Sequence, residues 1–365
     1  MMFERWFECW IVRQWQHRGW WYVLMLPLSW LFNVLTSLRR WLYQANLLPK
    51  LFPQVILPCP VWVIGNINVG GVGKTPLIIA LIEQQLALGQ RVLLISRHYG
   101  VADSSYQGWV DVGSRASHVG DEAALVAYRL QAFLRANQLC IAVGRSRSQT
   151  AQWAYHAAVA EGFVPDIVMT DDGLQHYALA RTQEWVVVNT QMGFGNGATF
   201  PAGSLREPIS RLNEVQQIAL HYPDGIAPAN LRLLLAQLPS HVPVMRYQSL
   251  IQSAYLLSSS NPSREDEAMN TMMPLDAVFA SRQTQSRRMI AVAGIGQPDR
   301  FFEQLRRFGH LDETIALPDH AIFNETLVQT WANKLVLMTE KDAVKCRELT
   351  MPQGCTVWVV PLVVF

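Results

Sequence analysis

Between Trp20 and Leu38 the chain reads WWYVLMLPLSWLFNVLTSL, with no charged residue. As a helix, this stretch would reach about 28 Å, close to the hydrocarbon thickness of a bilayer. Arg18 and the Arg39-Arg40 pair bracket it, and tryptophans stand at its ends, as they do at membrane–water interfaces. No small-residue cleavage site follows, which speaks against a removable signal peptide. Pro27, Asn33 and Ser37 interrupt the apolar run. A spanning helix, an interfacial helix and a buried core helix therefore all remain open. Basic residues at both ends leave the orientation open as well.

From Leu51 the pattern changes to short apolar, β-branched runs separated by longer amphipathic ones. Val61–Ile64, Arg91–Ile95, Ile141–Val143, Ile167–Met169 and Trp185–Val188 read as buried strands. Helical stretches are expected over Pro76–Leu88, over Ala123–Arg135 and up to Ala160. This alternation predicts an α/β fold with a mostly parallel sheet and ligands at the strand carboxyl ends. Polar motifs stand at those ends: SRHYG after the second run, Gly144-Arg145-Ser146-Arg147 after the third, Thr170-Asp171-Asp172-Gly173 after the fourth. A second α/β region is expected from near Ala219, with strands at Ile290–Ala293 and Lys334–Met338. Residues 258–288 are rich in Ser, Asn, Gln, Asp and Glu and read as a surface insertion. The expected organisation is an N-terminal membrane-anchoring helix in 1–50, a P-loop domain in 51–218 and a second α/β domain in 219–365.

The motif that organises the chain is VWVIGNINVGGVGKT, Val61 to Thr75. Strand, glycine-rich turn, Lys-Thr, then helix is the P-loop arrangement. Asn68, Val69, Gly70, Gly71, Val72 and Gly73 would close backbone N–H groups around phosphate oxygens. Lys74 would reach the outer phosphates and the Thr75 hydroxyl would ligate Mg²⁺. Asn68 stands where the usual pattern has glycine, and asparagine tolerates left-handed backbone better than most residues. Pro76 suits a first helical turn, where its missing N–H is no loss.

Downstream, Asp171-Asp172 closes an apolar run where P-loop proteins place an acidic group for Mg²⁺, although an Asp-Asp-Gly turn is the simpler alternative. Asp121 reads equally as a helix-start residue or a functional carboxylate, and Arg147 as a solvated helix charge or a phosphate contact. Arg206 either pairs near Glu207 or reaches an anionic ligand. His320 alone is a loop or core histidine. The GIG at Gly294–Gly296 lacks a third glycine and reads as a tight strand-to-helix turn. Thr339-Glu340-Lys341-Asp342 is either a helix cap or a guanine-reading loop.

A net charge of +2 gives no support for a nucleic-acid partner. The five cysteines are scattered, with no CxxC pair and no metal-spaced histidines, which favours reduced thiols and no structural zinc. Seven of the 13 tryptophans precede residue 42, around the apolar segment.

Taken together, Asn66 with GGVGKTP, Gly120-Asp121-Glu122, DDGLQH (171–176), GFGNG (193–197), PAGSLREP (201–208), AGIGQPDRFF (293–302), Pro318-Asp319-His320 and TEKDAVK (339–345) resemble the tetraacyldisaccharide 4'-kinase family. The likeness spans roughly 61–345. It departs from the family pattern at His98, Ala123, Ala321 and Phe323. The resemblance implies an inner-membrane enzyme with its catalytic domains facing the cytoplasm. It would transfer the γ-phosphate of Mg-ATP to the 4'-hydroxyl of a lipid A disaccharide 1-phosphate precursor. It further implies Asp121 and His320 as a catalytic dyad drawn from different domains. Lys74, Arg147 and Arg206 would hold phosphates. Thr75, Asp171 and Asp172 would serve the metal, supported by Gln175 and His176. The membrane surface is an expected partner, and no obligate protein partner is evident. A membrane-associated ATPase or GTPase switch is the rival reading and would use TEKD to read a base. A non-catalytic scaffold would leave the P-loop empty.

Overall fold

The computed structural model describes residues 10–45, 51, 53–97, 106–257, 272–285 and 287–365. His98 and residues 258–271 of the polar segment lie outside them. The chain forms two compact units, each assembled from separated segments. The first comprises Met1–Ile78, Gly89–Ile95 and Ser146–Gln248, the second Ile79–Leu88, Ser96–Arg145 and Ser249–Phe365. This is not the partition into consecutive domains at 50/51 and 218/219 that the sequence suggested.

In the first unit, strands β1 (Val61–Gly65), β2 (Val92–Ser96), β5 (Ile167–Asp171), β6 (Gln183–Asn189) and β7 (Gln217–Pro223) lie parallel in the order β7-β6-β1-β5-β2. The registers set Ile64 opposite Asp171, Gly65 opposite Val186, and Asn189 opposite His221. The expected domain start at 219 falls inside β7, where Ala219 pairs with Val187. Strands β2 and β5 are buried at every position, which explains their continuous apolar sequence. A core of Ile67, Leu174, Val186, Val188, Phe194, Leu205 and Leu220 fills one face of this sheet.

Helix α1 (Trp20–Gln44) runs through Pro27 without a break and buries only Ser29. The Ser29 hydroxyl donates to the Thr199 carbonyl and accepts from the Ala202 N–H, while the Trp15 and Trp21 indoles both donate to the Pro201 carbonyl. The opposite face carries Trp20, Val23, Leu24, Leu28, Leu31, Leu35, Leu38 and Trp41, all exposed. Their spacing of three and four residues makes one continuous stripe.

In the second unit, β3 (Gly108–Trp109) and β4 (Leu139–Val143) pair antiparallel, and β9 (Ser253–Leu256), β10 (Met273–Pro274), β11 (Arg288–Ala293), β12 (Glu313–Ala316), β13 (Lys334–Thr339) and β14 (Thr356–Val360) form a sheet ordered β10-β9-β14-β13-β11-β12. Its last four strands are parallel. Residues 272–288, expected to belong to the polar insertion, instead hold β10, a helix at Leu275–Gln285 and the start of β11. Leu275, Val278 and Phe279 pack into the core with Met289, Leu305, Leu335 and Trp358. The helix expected over 123–135 is two pieces, Asp121–Arg129 and Gln131–Arg135, parted at Leu130.

Candidate functional site

The P-loop follows β1 and leads into the helix Lys74–Ala87. Gly70 and Gly73 have φ of 106° and 92°, values that only glycine adopts without strain. Asn68, in the slot where glycine is usual, is buried and donates to the Gly193 carbonyl. Asn66 is buried too, and its amide donates to the carbonyls of Asn68 and Gly70. Side-chain braces thus shape the loop where a glycine is lacking.

The Lys74 ammonium lies 3.0 Å from the Asn66 Oδ1 and 3.0 Å from the Asp172 carboxylate. Asp172 also meets Arg206 at 3.2 Å. Burial works to raise the Asp172 pKa, but Lys74 and Arg206 outweigh it and bring it down to about 2. Asp172 has φ of 47°, so this carboxylate is held by a backbone geometry that aspartate visits rarely. Arg206 therefore pairs with Asp172 and not near Glu207, which turns inward to Gln175, Tyr177 and Arg211.

Arg147 is not a solvated charge. It is 2% exposed, its Nε donates to the Asp171 carbonyl at 2.8 Å, and its Nη1 lies 2.8 Å from His176 Nε2. An arginine only donates, so His176 accepts here and its Nε2 lone pair is engaged. That removes His176 Nε2 from the expected metal set in this arrangement. The Gln175 amide nitrogen is likewise engaged, by the Asn66 carbonyl and Glu207. Both residues brace the site from its side.

Among the described residues, no group of three or more His, Cys, Asp or Glu side chains converges to hold a metal. What stands near the P-loop is a hydroxyl, Thr75, and two carboxylates, Asp171 and Asp172. These hard oxygen donors suit Mg²⁺, which keeps several waters and commonly takes one or two carboxylates plus phosphate oxygens. The donor set fits the metal shared with a nucleotide.

A second cluster belongs wholly to the other unit. Asp121 opens the helix Asp121–Arg129 and is buried, and its Oδ2 lies 2.9 Å from His320 Nδ1. Both residues lie in the same compact unit, so the expected split of the dyad between two domains is corrected: no closure is needed to join them. His320 has φ of 56°, and its ring is partly open to solvent. Lys341 lies 3.7 Å from Asp121, 3.5 Å from Glu122 and 3.7 Å from Asp319, and Lys345 lies 3.5 Å from Asp121. Burial opposes the Asp121 charge, but the His320 hydrogen bond and the two lysines prevail and lower its pKa. The hydrogen bond that His320 donates to Asp121 raises the His320 pKa, against burial and the Lys341 charge. Neither lysine was singled out from the sequence as part of this cluster, because nothing local in TEKDAVK signals a contact with residue 121.

TEKD itself is a helix cap. Thr339 caps the helix Glu340–Cys346 by accepting from the Asp342 N–H, and Asp342 accepts from the Thr339 hydroxyl and the Gly294 N–H. Asp342 is fully buried, which leaves it no face for reading a base. The strand Arg288–Ala293 ends just before the GIG stretch and the helix Pro298–Arg306 begins just after it, so GIG is a strand-to-helix turn.

A sequence-family model described as tetraacyldisaccharide-1-P 4'-kinase matches residues 21–365. The tetraacyldisaccharide 4'-kinase of Psychrobacter cryohalolentis is 38% identical over 343 residues, covering 93% of this chain and 84% of that protein. That of Methylobacillus flagellatus is 36% identical over 340 residues, covering 93% and 88%. Among solved structures, LpxK from Aquifex aeolicus in complex with ATP superposes with a TM-score of 0.67 at 23% identity, covering 94% of each chain. That likeness establishes the shared fold.

Proposed function

The chain belongs to the tetraacyldisaccharide-1-P 4'-kinase family, and from that premise we propose that it transfers the γ-phosphoryl group of ATP to the 4'-hydroxyl of a tetraacylated disaccharide 1-phosphate in lipid A biosynthesis. The observation that carries this reading over a nucleotide switch is the Asp121–His320 bond. A switch needs only to hold and hydrolyse nucleotide. A kinase acting on a sugar needs a base for the hydroxyl, worth roughly 10²–10⁴-fold. With Asp121 accepting from Nδ1–H, neutral His320 keeps its Nε2 lone pair for that proton, and the Asp121 carboxylate stabilises the imidazolium that results.

In the first unit, the P-loop amides and Lys74 hold the phosphates. Lys74, held by Asp172 and Asn66, stands where it would meet the outer phosphate oxygens. Arg147 and Arg206 add positive charge where negative charge develops. Thr75, Asp171 and Asp172 are the residues that would hold Mg²⁺. When bound, the ion neutralises charge on the β- and γ-phosphate oxygens. Arg147 keeps the acidic strand end in place, and Gln175 ties the Asn66 carbonyl to Glu207.

The acceptor is a lipid, and α1 supplies a means to reach it. Its apolar stripe faces outward while Ser29, near the middle of the helix, is bonded to Thr199 and Ala202. This supports a helix lying in the headgroup region of the inner membrane's cytoplasmic face rather than one spanning it.

The test is transfer of labelled γ-phosphate from Mg-ATP to purified disaccharide 1-phosphate lipid in detergent micelles. Label should appear on the lipid with the wild-type chain and be lost with Lys74→Ala. His320→Ala should lower turnover by about 10²-fold or more while ATP still binds. Lys74-dependent hydrolysis with no labelled lipid would favour the switch instead.

A further inference from the structure

The P-loop rests on two aromatic side chains that no motif announces. His221, on β7, and Tyr247, on β8 (Val244–Leu250), are both buried in the first unit. Their rings stack with centroids 4.8 Å apart and planes 14° apart. His221 Nδ1 lies 2.7 Å from the Val72 carbonyl, and the Tyr247 hydroxyl donates to the Gly73 carbonyl at 2.9 Å. A carbonyl can only accept, so His221 carries its proton on Nδ1. Burial pushes the Tyr247 pKa well up and keeps the phenol a donor. The His221 backbone is itself pinned, since the N–H and hydroxyl of Thr190 both donate to its carbonyl.

Two consecutive carbonyls are thereby drawn toward one side of the loop. In a trans peptide the C=O and the following N–H point in opposite directions. Holding the carbonyls of Val72 and Gly73 therefore aims the N–H groups of Gly73 and Lys74 away from the aromatic pair. Those are amides a P-loop offers to phosphate. Gly73 is matched to the arrangement twice over. Its φ of 92° excludes side chains, and a Cβ there would stand 2.3 Å from His221 Cε1.

We propose that His221 and Tyr247 are positioning residues for nucleotide binding: a stacked pair that touches no phosphate but presets the Gly73 and Lys74 amides. The pair does for peptides 72 and 73 what the Asn66 and Asn68 side chains do for the earlier part of the loop. This inference rests on the phosphate-binding part of the kinase reading and assigns residues that reading left without a role.

The experiment compares Tyr247→Phe, His221→Phe and His221→Asn with the wild type in the full chain. ADP affinity is measured by calorimetry, the KM values for ATP and lipid by transfer assay, and the folded fraction by circular dichroism. Tyr247→Phe keeps the stack and loses one donor, and should weaken ADP binding and raise the ATP KM about three- to tenfold, as expected for one hydrogen bond. His221→Phe should do the same or more, and His221→Asn, which restores a donor near the Nδ1 position, should recover much of the loss. The lipid KM should stay within twofold throughout. ADP affinity unchanged in both phenylalanine variants would overturn the proposal. So would parallel loss of ATP and lipid binding, or His221→Asn no better than His221→Phe in folded protein. A wild-type chain that binds no nucleotide at all would instead sink the kinase reading on which the proposal rests.

Discussion

Lys341 stands among three carboxylates, Asp121, Glu122 and Asp319, in the cluster that holds His320. Its charge lowers the His320 pKa while the hydrogen bond donated to Asp121 raises it. A base must be neutral to accept a proton, so activity should fall as pH drops through the His320 pKa. Lys341→Met removes a lowering influence and should move the acid limb of the kcat/KM profile to higher pH, while Lys341→Arg should leave it near the wild-type position. An acid limb that stays put in Lys341→Met would mean that His320 is not the group being read. At this scale the sequence was legible in part. Lys74 stands in a motif whose chemistry is local, whereas Asp121 and His320, 199 residues apart, are linked in the sequence only through the family resemblance. Arg206 and His176 stand in equally clear motifs, yet their partners, Asp172 and Arg147, come from 34 and 29 residues away. Motif spacing carries no information about such pairs.

Helix α1 illustrates the same division at the scale of an element. Its length, its lack of charge and its flanking arginines were visible in the sequence, as was the crowding of tryptophan around it. Which face meets protein was not. That depends on Thr199, Pro201 and Ala202, a loop some 170 residues later. Replacing two residues of the exposed stripe, Leu31→Glu with Leu35→Glu, should reduce sedimentation with anionic vesicles roughly tenfold or more, since each charge placed in lipid is costly. Soluble protein should keep its ADP affinity. Unchanged sedimentation would remove the stripe as a membrane-binding face. The helix Asp121–Arg129 makes a contrasting case. Asp121 was readable as a helix start, but its first-turn carboxylate is turned to His320 and two lysines from the C-terminal third of the chain.

For the whole molecule, paired carboxylates tie stability to pH. The Asp172 pKa lies at about 2 in the folded chain, below its ordinary value of 3.8, and Asp121 is lowered in the same direction. A depressed carboxylate contributes stability that is present above the ordinary pKa and lost as pH falls through the folded one. For Asp172 this amounts to about 2 kcal/mol. The denaturant midpoint should therefore drop between about pH 4 and pH 2, and Asp172→Asn should show a shallower drop over that window. A variant that follows the wild-type curve would show that the pair with Lys74 and Arg206 contributes nothing to stability. The sequence by itself determined the alternation of strands and helices, the phosphate loop and the polar motifs at strand ends. Each of these is a local pattern, written in side-chain period and turn chemistry. Only the tertiary structure decided that Ala219 belongs to the first sheet, that 79–88 and 96–145 join the C-terminal unit, and that Asp121 meets His320 within it. Strand order and unit membership depend on which apolar faces bury against each other. Any of several pairings would satisfy the same local pattern, and long-range packing selects one of them.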